Sequence, residues 1–240
     1  MIEIPYNLAA MHKRMELACK KANRDTADVK LLLATKTISA EKIKIALEAG
    51  ETLIGENKVQ ELREKFDELK KISHQTHFIG HLQSNKIKEV LKFAGCIQTV
   101  DRLPLAEKLQ KRLEFENKTL DIFMQVNTSF EKSKFGIEPD KALQLALQVS
   151  KLNRLNIKGL MTIGLFSAEE QKVRKCFQLL KNIQLQLLEK NINAAELSMG
   201  MSGDLEIAIE EGSTIIRVGT AIFGKRPHPD SYYWNEKINH

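Results

Sequence analysis

The sequence has 240 residues, of which 42% are hydrophobic and 28% charged, so the chain is too apolar to be intrinsically disordered. Its 12 glycines and 5 prolines are too few for a collagenous or low-complexity protein. The net charge of +6 leaves phosphates, nucleic acid and anionic membranes as candidate binding partners.

The basic residues do not gather into one cluster. They alternate with acidic residues, as in Glu61 and Lys65 or in Glu64, Glu68 and Lys71, and this spacing predicts solvent-exposed helix faces. Nucleic-acid-binding proteins concentrate their basic residues on one surface, so we predict no nucleic-acid binding. A small anionic ligand stays compatible with the charge.

The three cysteines, Cys19, Cys96 and Cys176, are scattered, which predicts buried thiols in a reducing compartment and no disulfide. His77 and His81 lack a third ligand, so no metal site is predicted. The N-terminus lacks a signal-peptide pattern, and no run approaches the ~20 apolar residues that span a bilayer. We therefore expect a cytoplasmic protein without membrane contact.

Short apolar runs alternate with amphipathic segments along the whole chain. In chain order, we predict strands over residues 29–34, 52–57, 77–82, 97–100, 120–126, 157–163, 196–199 and 214–218. Seven of the eight are followed by a predicted helix, over residues 39–49, 58–71, 84–93, 103–116, 139–152, 167–190 and 204–211. Ser167 and Glu170 have the spacing of a capping box at the start of the sixth helix.

Strands that alternate with helices indicate βαβ units and a parallel sheet. Eight strands in 240 residues match a TIM barrel better than a doubly wound sheet. Pro227 and Pro229 make the segment after the eighth strand a poor helix, whereas apolar residues at helical spacing over 4–22 predict a helix that covers this gap. We therefore predict an α/β fold, a single (β/α)8 TIM barrel over residues 1–240 with an additional N-terminal helix.

Lys36 is the first candidate functional residue, because functional groups of a TIM barrel lie where the strands end. It follows the first predicted strand, whose end reads Ala34, Thr35, Lys36 and Thr37. Burial in a barrel mouth lowers the pKa of an amine, and a neutral amine can attack a carbonyl to form an imine. The alternative is a lysine that has left the sheet into solvent.

The loops after strands seven and eight are the usual phosphate site of this fold. Ser202 opens a helix after strand seven, and Gly219 and Thr220 follow Arg217 at the end of strand eight. Small residues at helix N-termini expose backbone N–H groups to an anion, although ordinary capping and tight turns are the alternative. An imine-forming lysine beside a phosphate site fits a phosphorylated aldehyde, either pyridoxal 5′-phosphate (PLP) or the substrate of a sugar-phosphate aldolase.

Seven short motifs occur in order at the strand ends. They read LATKT at 33–37, IGENKVQ at 54–60, HFIGHLQSNK at 77–86, KFG at 134–136, GLMTI at 159–163, LSMGMS at 197–202 and IRVGTAIFG at 216–224. Together they resemble the pyridoxal phosphate homeostasis protein family. The resemblance implies a TIM barrel similar to the N-terminal domain of alanine racemase, with PLP as the cofactor.

The resemblance also implies which residues bind the cofactor. Lys36 matches the family lysine that holds PLP as an imine, and Asn57 falls in the family's Gly-Glu-Asn motif beside the ring. Ser202 and the backbone of Gly219 and Thr220 match the phosphate cradle.

Arg217 matches the family arginine that faces the pyridine nitrogen. Arginine stays protonated and disfavours a proton on that nitrogen, so the ring becomes a weaker electron sink. Alanine racemase works with this arrangement, so Arg217 alone does not exclude catalysis. The chain ends at His240, without room for the domain that supplies the racemase's second base, and Tyr232 and Tyr233 in the tail are weak candidates for that base. We therefore expect no catalytic residues.

The sequence thus predicts a PLP-binding protein of intracellular PLP homeostasis, which stores, buffers or delivers the cofactor through a reversible Lys36 imine. A PLP-dependent amino-acid racemase and an aldolase are the alternatives. The expected partners are PLP and apo PLP-dependent enzymes. No heptad repeat or exposed apolar edge indicates assembly, so we expect a monomer. Lys132 and Lys134 are candidates for steering an anionic cofactor, although a solvated loop is the simpler interpretation of Lys132. Phe135 stands where relatives often have a smaller residue.

Overall fold

A closed barrel of eight parallel strands forms the centre of the computed structural model, which describes residues 3–224. The strands are β1 (Lys30–Ala34), β2 (Leu53–Glu56), β3 (Gln75–Phe78), β4 (Cys96–Val100), β5 (Leu120–Gln125), β6 (Leu155–Met161), β7 (Glu196–Ser198) and β8 (Ile215–Val218). Each strand pairs with the next one in sequence, and β8 closes the barrel on β1, with Leu33 opposite Val218. The predicted TIM barrel is confirmed.

Helices surround the barrel. They are α1 (Ile4–Lys21), α2 (Ala40–Glu48), α3 (Val59–Leu69), α4 (Ile87–Val90), α5 (Leu103–Glu116), α6 (Pro139–Val149), α7 (Glu170–Glu189), α8 (Leu205–Glu210) and α9 (Thr220–Phe223). The N-terminal helix α1 buries one apolar stripe, including Leu8, Met11 and Met15, against α2, α8 and α9. It therefore covers the barrel between β8 and β1, and the predicted N-terminal helix is confirmed.

Two apolar layers show which strand residues point inward. The cluster inside the barrel consists of Leu32, Leu53, Cys96, Phe123, Met161 and Ile215, with Ile79 and Ile163 packed against it. Their sequence neighbours, such as Leu33 and Ile54, belong to the larger cluster between the sheet and the helices. Because side chains alternate between the two faces of a strand, this division identifies the residues that point into the barrel mouth.

Two predicted boundaries after β2 are wrong. β3 ends at Phe78 instead of residue 82, since the chain turns at Gly80 close against the carbonyl oxygen of Asn57. A Cβ at Gly80 would lie 2.0 Å from that oxygen, so only glycine fits the approach. The helix predicted over 84–93 is reduced to a 3₁₀ turn (Ser84–Lys86) and the single turn of α4.

The capping box predicted at Ser167 is also wrong. The residue that precedes α7 is Glu169, and Ser167 Oγ accepts the backbone N–H of Glu169 at 3.0 Å, which closes a local turn before the helix. The segment after β8 with Pro227, and the tail residues Tyr232 and Tyr233, lie outside the described residues. Within residues 3–224, no helix has the length and apolar character needed to cross a membrane.

Candidate functional site at the C-terminal mouth of the barrel

A cleft opens where β1, β2, β3, β5 and β6 end. It contains two of the predicted site residues, Lys36 and Asn57. The remaining lining comes from neighbouring strand ends and loops: Thr37, Lys58, Glu61, Ile79, Gly80, His81, Gln125, Phe135 and Ile163. The cleft therefore lies at the end of the barrel where the sequence placed the functional residues.

Lys36 lies two residues beyond the end of β1 and is half-buried. Leu32 belongs to the cluster inside the barrel, so alternation along the strand directs Ala34 and Lys36 to the same side. Thr35, between them, is fully buried on the opposite side. Lys36 thus lines the barrel mouth instead of leaving the sheet for bulk solvent.

Lys65 on α3 belongs to a group of ion pairs that connects Thr35 and Thr37, the two residues that flank Lys36. Its Nζ donates to three oxygens: Thr35 O at 2.9 Å, Glu56 Oε1 at 2.6 Å and Glu61 Oε2 at 2.8 Å. Glu61 Oε2 also accepts the backbone N–H of Thr37, at 2.6 Å. One ion cluster of Lys65, Glu56 and Glu61, called the Lys65 cluster below, therefore holds the backbone on both sides of the lysine.

The sequence predicted that Glu61 and Lys65 lie on a solvent-exposed helix face, and for Lys65 this is wrong. Only 9% of Lys65 is exposed, because its side of α3 faces β2 and the end of β1. An i,i+4 pair has the same spacing on a buried face and on an exposed face, so the sequence could not separate the two cases. Glu64, Glu68 and Lys71 are exposed, as predicted.

Glu56 is the most deeply buried member of the Lys65 cluster. Its burial raises the pKa of the carboxyl to about 7, although the charge of Lys65 acts in the opposite direction. Thr35 Oγ1 donates to Glu56 Oε1 at 2.7 Å, whereas Oε2 is buried without a hydrogen-bond partner among residues 3–224. The carboxyl therefore gains a proton more readily than an exposed glutamate does.

Asn57 directly follows β2 and is half-buried in the cleft. The loop after β3 packs against its backbone at Gly80, and Thr99 Oγ1 fixes that loop by donating to Gly80 O at 2.6 Å. The Asn57 backbone is thus held between two strand ends at the edge of the cleft.

Arg217 lies on β8 and points into the barrel, since Ile215 two residues earlier belongs to the inner cluster. Its Nη1 donates to Ser198 Oγ at 2.9 Å, and its Nη2 donates to the carbonyl oxygen of Thr162 at 2.7 Å. Burial lowers the pKa of the guanidinium to about 10, while the charge of Asp204 opposes that shift. Arg217 therefore stays cationic at neutral pH.

Arg217 begins a chain of hydrogen bonds that crosses the barrel interior. Ser198 Oγ on β7 donates to Gln98 Oε1 on β4 at 2.7 Å, and Gln98 Nε2 donates to His77 Nδ1 on β3 at 2.7 Å. Burial lowers the pKa of His77 to about 4, so the ring is neutral at pH 7 and accepts this bond. The sequence patterns did not predict a network at Gln98 and Ser198, although a polar residue inside an apolar strand is a usable signal for one.

The other predicted residues, Ser202, Gly219 and Thr220, do not line the cleft around the lysine. Ser202 is half-buried between β7 and α8, where its carbonyl oxygen accepts from Arg14 Nη2 at 3.0 Å. Gly219 precedes α9, and Thr220 is its first residue. A Cβ at Gly219 would lie 2.8 Å from Ala34 O, so this turn packs directly against the end of β1. The two parts of the predicted site adjoin along the β8–β1 edge.

The loop after β5 forms one wall of the cleft through Phe135. Its ring stacks on His81, with ring centroids 3.8 Å apart and an interplanar angle of 14°. Lys134 forms an ion pair with Glu131, whereas Lys132 is exposed. The pairing reduces the charge that Lys134 can offer to a distant anion, so the steering role stays a prediction.

Comparison with known protein families gives one match over most of the chain. The family described as alanine racemase, N-terminal domain, matches residues 6–227. Among its relatives, a pyridoxal phosphate homeostasis protein of Aquifex aeolicus is 38% identical over 222 residues, which cover 92% of this chain and 97% of the relative.

Two solved structures are similar over nearly the whole barrel. An unknown protein from Bifidobacterium adolescentis is 38% identical with a TM-score of 0.89, and the match covers 92% of this chain and 94% of that one. PipY of Synechococcus elongatus PCC7942, solved with PLP bound, is 29% identical with a TM-score of 0.80, covering 92% of this chain and 100% of PipY.

Proposed function

Because the chain belongs to the alanine racemase N-terminal domain family, and within it to the pyridoxal phosphate homeostasis proteins, we propose that it binds PLP. We propose further that it stores, buffers or delivers the cofactor inside the cell through a reversible imine at Lys36, without robust catalysis. The observation that carries this proposal is a half-buried lysine in the barrel mouth, whose two neighbours Thr35 and Thr37 are both bonded to the Lys65 cluster.

The residues present fit a phosphorylated pyridine aldehyde. Lys36 supplies a primary amine in the cleft, and Arg217 supplies a buried cation on the strand that pairs with β1. The turn at Gly219 packs against the end of β1 and leads into α9, whose first N–H groups have no acceptor within the helix and are suited to an anion. PipY, with PLP bound, has the same fold.

When bound, PLP supplies an aldehyde whose carbonyl carbon joins a primary amine with release of water. Lys36 Nζ provides this amine, and the Lys65 cluster keeps its backbone in place. Arg217, held by Ser198, presents a permanent positive charge that disfavours a proton on the pyridine nitrogen. The Ser202 hydroxyl and the first N–H groups of α9 would hold the phosphate.

A reversible covalent bond at one lysine suits storage and delivery, because water or another amine can remove the aldehyde again. An unprotonated ring nitrogen is a weak electron sink, so the site stabilises carbanions poorly. The relatives are named homeostasis proteins, and this name is compatible with a non-catalytic role. The match to the alanine racemase N-terminal domain favours an amino-acid racemase as the second candidate.

The proposal extends to partners and location. We propose that apo PLP-dependent enzymes receive the cofactor and that the protein is a monomer that contacts neither nucleic acid nor membrane. We also propose one domain over residues 1–240, which the family match to residues 6–227 supports. All three cysteines are free and buried, which is compatible with the reducing cytoplasm.

The two candidate functions differ in proton exchange at Cα of amino acids. The PLP-loaded protein is incubated with a panel of L-amino acids in deuterated water, and deuterium incorporation is followed by NMR. A carrier exchanges Cα protons no faster than an equal concentration of free PLP, whereas exchange at enzymatic rates establishes the racemase. PLP that passes entirely into the filtrate during ultrafiltration contradicts binding itself.

A further inference from the structure

Gln125 is a buried polar residue in the cleft to which the proposed cofactor site assigns no role. It is the last residue of β5, lines the cleft that contains Lys36, and is only 2% exposed. Phe123, two residues earlier, belongs to the inner apolar cluster, so Gln125 points into the barrel as well. Since β5 stands four strands from β1, Gln125 and Lys36 approach the mouth from opposite sides.

One end of the Gln125 amide is bonded and the other is not. Nε2 donates to the carbonyl oxygen of Phe135 at 3.0 Å, which fixes the orientation of the amide. Oε1 is buried and has no hydrogen-bond partner among residues 3–224. A buried carbonyl oxygen without a donor is unfavourable, so Oε1 is a candidate acceptor for a donor that a ligand brings into the cleft.

The loop behind Gln125 keeps the amide in this orientation. Ile137 N donates to Gln125 O, and Asn127 N donates to Ile137 O, both at 2.9 Å. Gly136 has a φ of +123°, and a Cβ there would lie 2.7 Å from Asn127 N. The segment that carries Phe135 is therefore tied back to the end of β5, and Gln125 lines the cleft with an Oε1 that receives no donor from this loop.

The hydrogen-bonding groups of the cofactor indicate which kind of donor Gln125 Oε1 would accept. The phosphate and aldehyde oxygens of PLP are acceptors, the ring hydroxyl is an acceptor once it is ionised beside the imine nitrogen, and the proposed site already places Arg217 toward the ring nitrogen. A primary amine, in contrast, is a donor in both of its protonation states. Glu61 in the same cleft is already paired with Lys65, and the cations Lys36 and Lys58 line the cleft as well, so the charge of the cleft favours a neutral amine over an ammonium group.

We propose that Gln125 Oε1 binds the primary amine that takes the aldehyde from Lys36, an inference that rests on the proposed function. The nitrogen of this amine forms a bond to the carbon held by Lys36 Nζ, and the bond between that carbon and Nζ breaks. The two protons of the neutral amine pass to Nζ, so the step needs no further reactant. The amino group of an amino acid or of a lysine side chain belongs to this ligand class.

The test measures release of PLP from the loaded full chain by methylamine, followed as the loss of circular dichroism in the cofactor band. In the wild-type protein, the release rate saturates with methylamine concentration, because the amine binds before it reacts. Gln125→Met keeps the side-chain length without the acceptor, so it retains PLP affinity but releases PLP roughly tenfold more slowly at low methylamine. Gln148→Met, at an exposed position of α6, behaves as the wild type, and trimethylammonium chloride controls for ionic strength.

Three results overturn the inference. They are a release rate that rises linearly without saturation in the wild type, equal rates in Gln125→Met and the wild type, and weaker PLP binding in Gln125→Met with an unchanged dependence on methylamine. The first result decides the matter even where Gln125→Met does not fold. A wild-type protein that acquires no cofactor band contradicts the proposed function itself, and this outcome is distinct from the other three.

Discussion

Arg217 donates from Nη1 to the hydroxyl oxygen of Ser198 across 2.9 Å inside the barrel. The same hydroxyl donates to Gln98, and Gln98 donates to His77, so four side chains from four strands are joined. The direction of the bonds is consistent from Arg217 to His77, because Ser198 and Gln98 each accept from one neighbour and donate to the next. The orientation of the guanidinium therefore depends on residues that lie on the far side of the barrel.

Replacement of Gln98 is predicted to destabilise the protein. Gln98→Leu leaves the Ser198 hydroxyl and the His77 ring nitrogen without their buried partner. The loss is about 1–3 kcal/mol in the free energy of unfolding, measured by urea denaturation at pH 7. Gln83→Leu, at an exposed position, should change it by no more than about 0.5 kcal/mol. Equal effects of the two substitutions would contradict a stabilising role for this chain of hydrogen bonds.

Glu56 is predicted to make stability depend on pH. Its folded-state pKa of about 7 lies above the ordinary value of 4.5, so between these values the folded state holds a proton that the unfolded state has lost. The contribution of this group is fully present below about pH 4.5 and is lost as the pH rises to about 7. Glu56→Gln removes the titration, so its stability relative to the wild type should rise by on the order of 2 kcal/mol between pH 5 and pH 7.5.

Urea denaturation of both proteins at the two pH values measures this difference. The exposed Glu64→Gln is the matched control on α3, and its difference from the wild type should be the same at both pH values. If the difference between Glu56→Gln and the wild type is instead the same at both pH values, the folded carboxyl is ionised throughout this range and the argument from burial is wrong.

Gly219→Ala is predicted to weaken PLP binding by deforming the junction of β8 and β1. The added Cβ would lie 2.8 Å from Ala34 O, a backbone atom two residues before Lys36, so the turn must shift. Gly95→Ala has open space around its added Cβ and serves as the control. Equilibrium dialysis with PLP should show roughly a tenfold loss of affinity for Gly219→Ala alone. Unchanged affinity would remove this turn from the phosphate cradle.

Ser202→Ala is predicted to lower PLP affinity without removing the bond at Lys36. A hydroxyl that donates to a charged phosphate contributes about 1.5–3 kcal/mol, which corresponds to roughly 10–100-fold in the dissociation constant. Ser133→Ala, at an exposed position of the loop after β5, should bind PLP as the wild type does. Loss of the absorbance band together with the affinity would show that Ser202 acts on Lys36 and not on the phosphate.

The barrel could be predicted from the sequence because the patterns that indicate its strands and helices are local. Apolar runs such as β1 and the amphipathic spacing of α1 report the burial of each element, and short connections force neighbouring strands to pair. The end of β3 could not be predicted, since it depends on the close approach of Gly80 to Asn57, a contact between two separate loops.

In the candidate site, too, some residues could be predicted from the sequence and others could not. Lys36, Asn57 and Arg217 could be named as candidates, because a polar residue at the end of an apolar strand is visible in the sequence and lies in the family motifs. The burial of Lys65 depends on which face of α3 meets β2, and the bond from Ser198 to Gln98 joins residues 100 positions apart. Such contacts exist only after the barrel has closed, so spacing along the chain does not report them.

The central claim is that Lys36 binds the aldehyde of PLP, and the absorbance spectrum of the purified protein with PLP tests it most directly. The account predicts an imine band in the wild type and in Lys42→Ala, an exposed position on α2, and its loss in Lys36→Ala. A band that persists in Lys36→Ala would assign the bond to another amine, such as Lys58 in the same cleft, and would contradict the account.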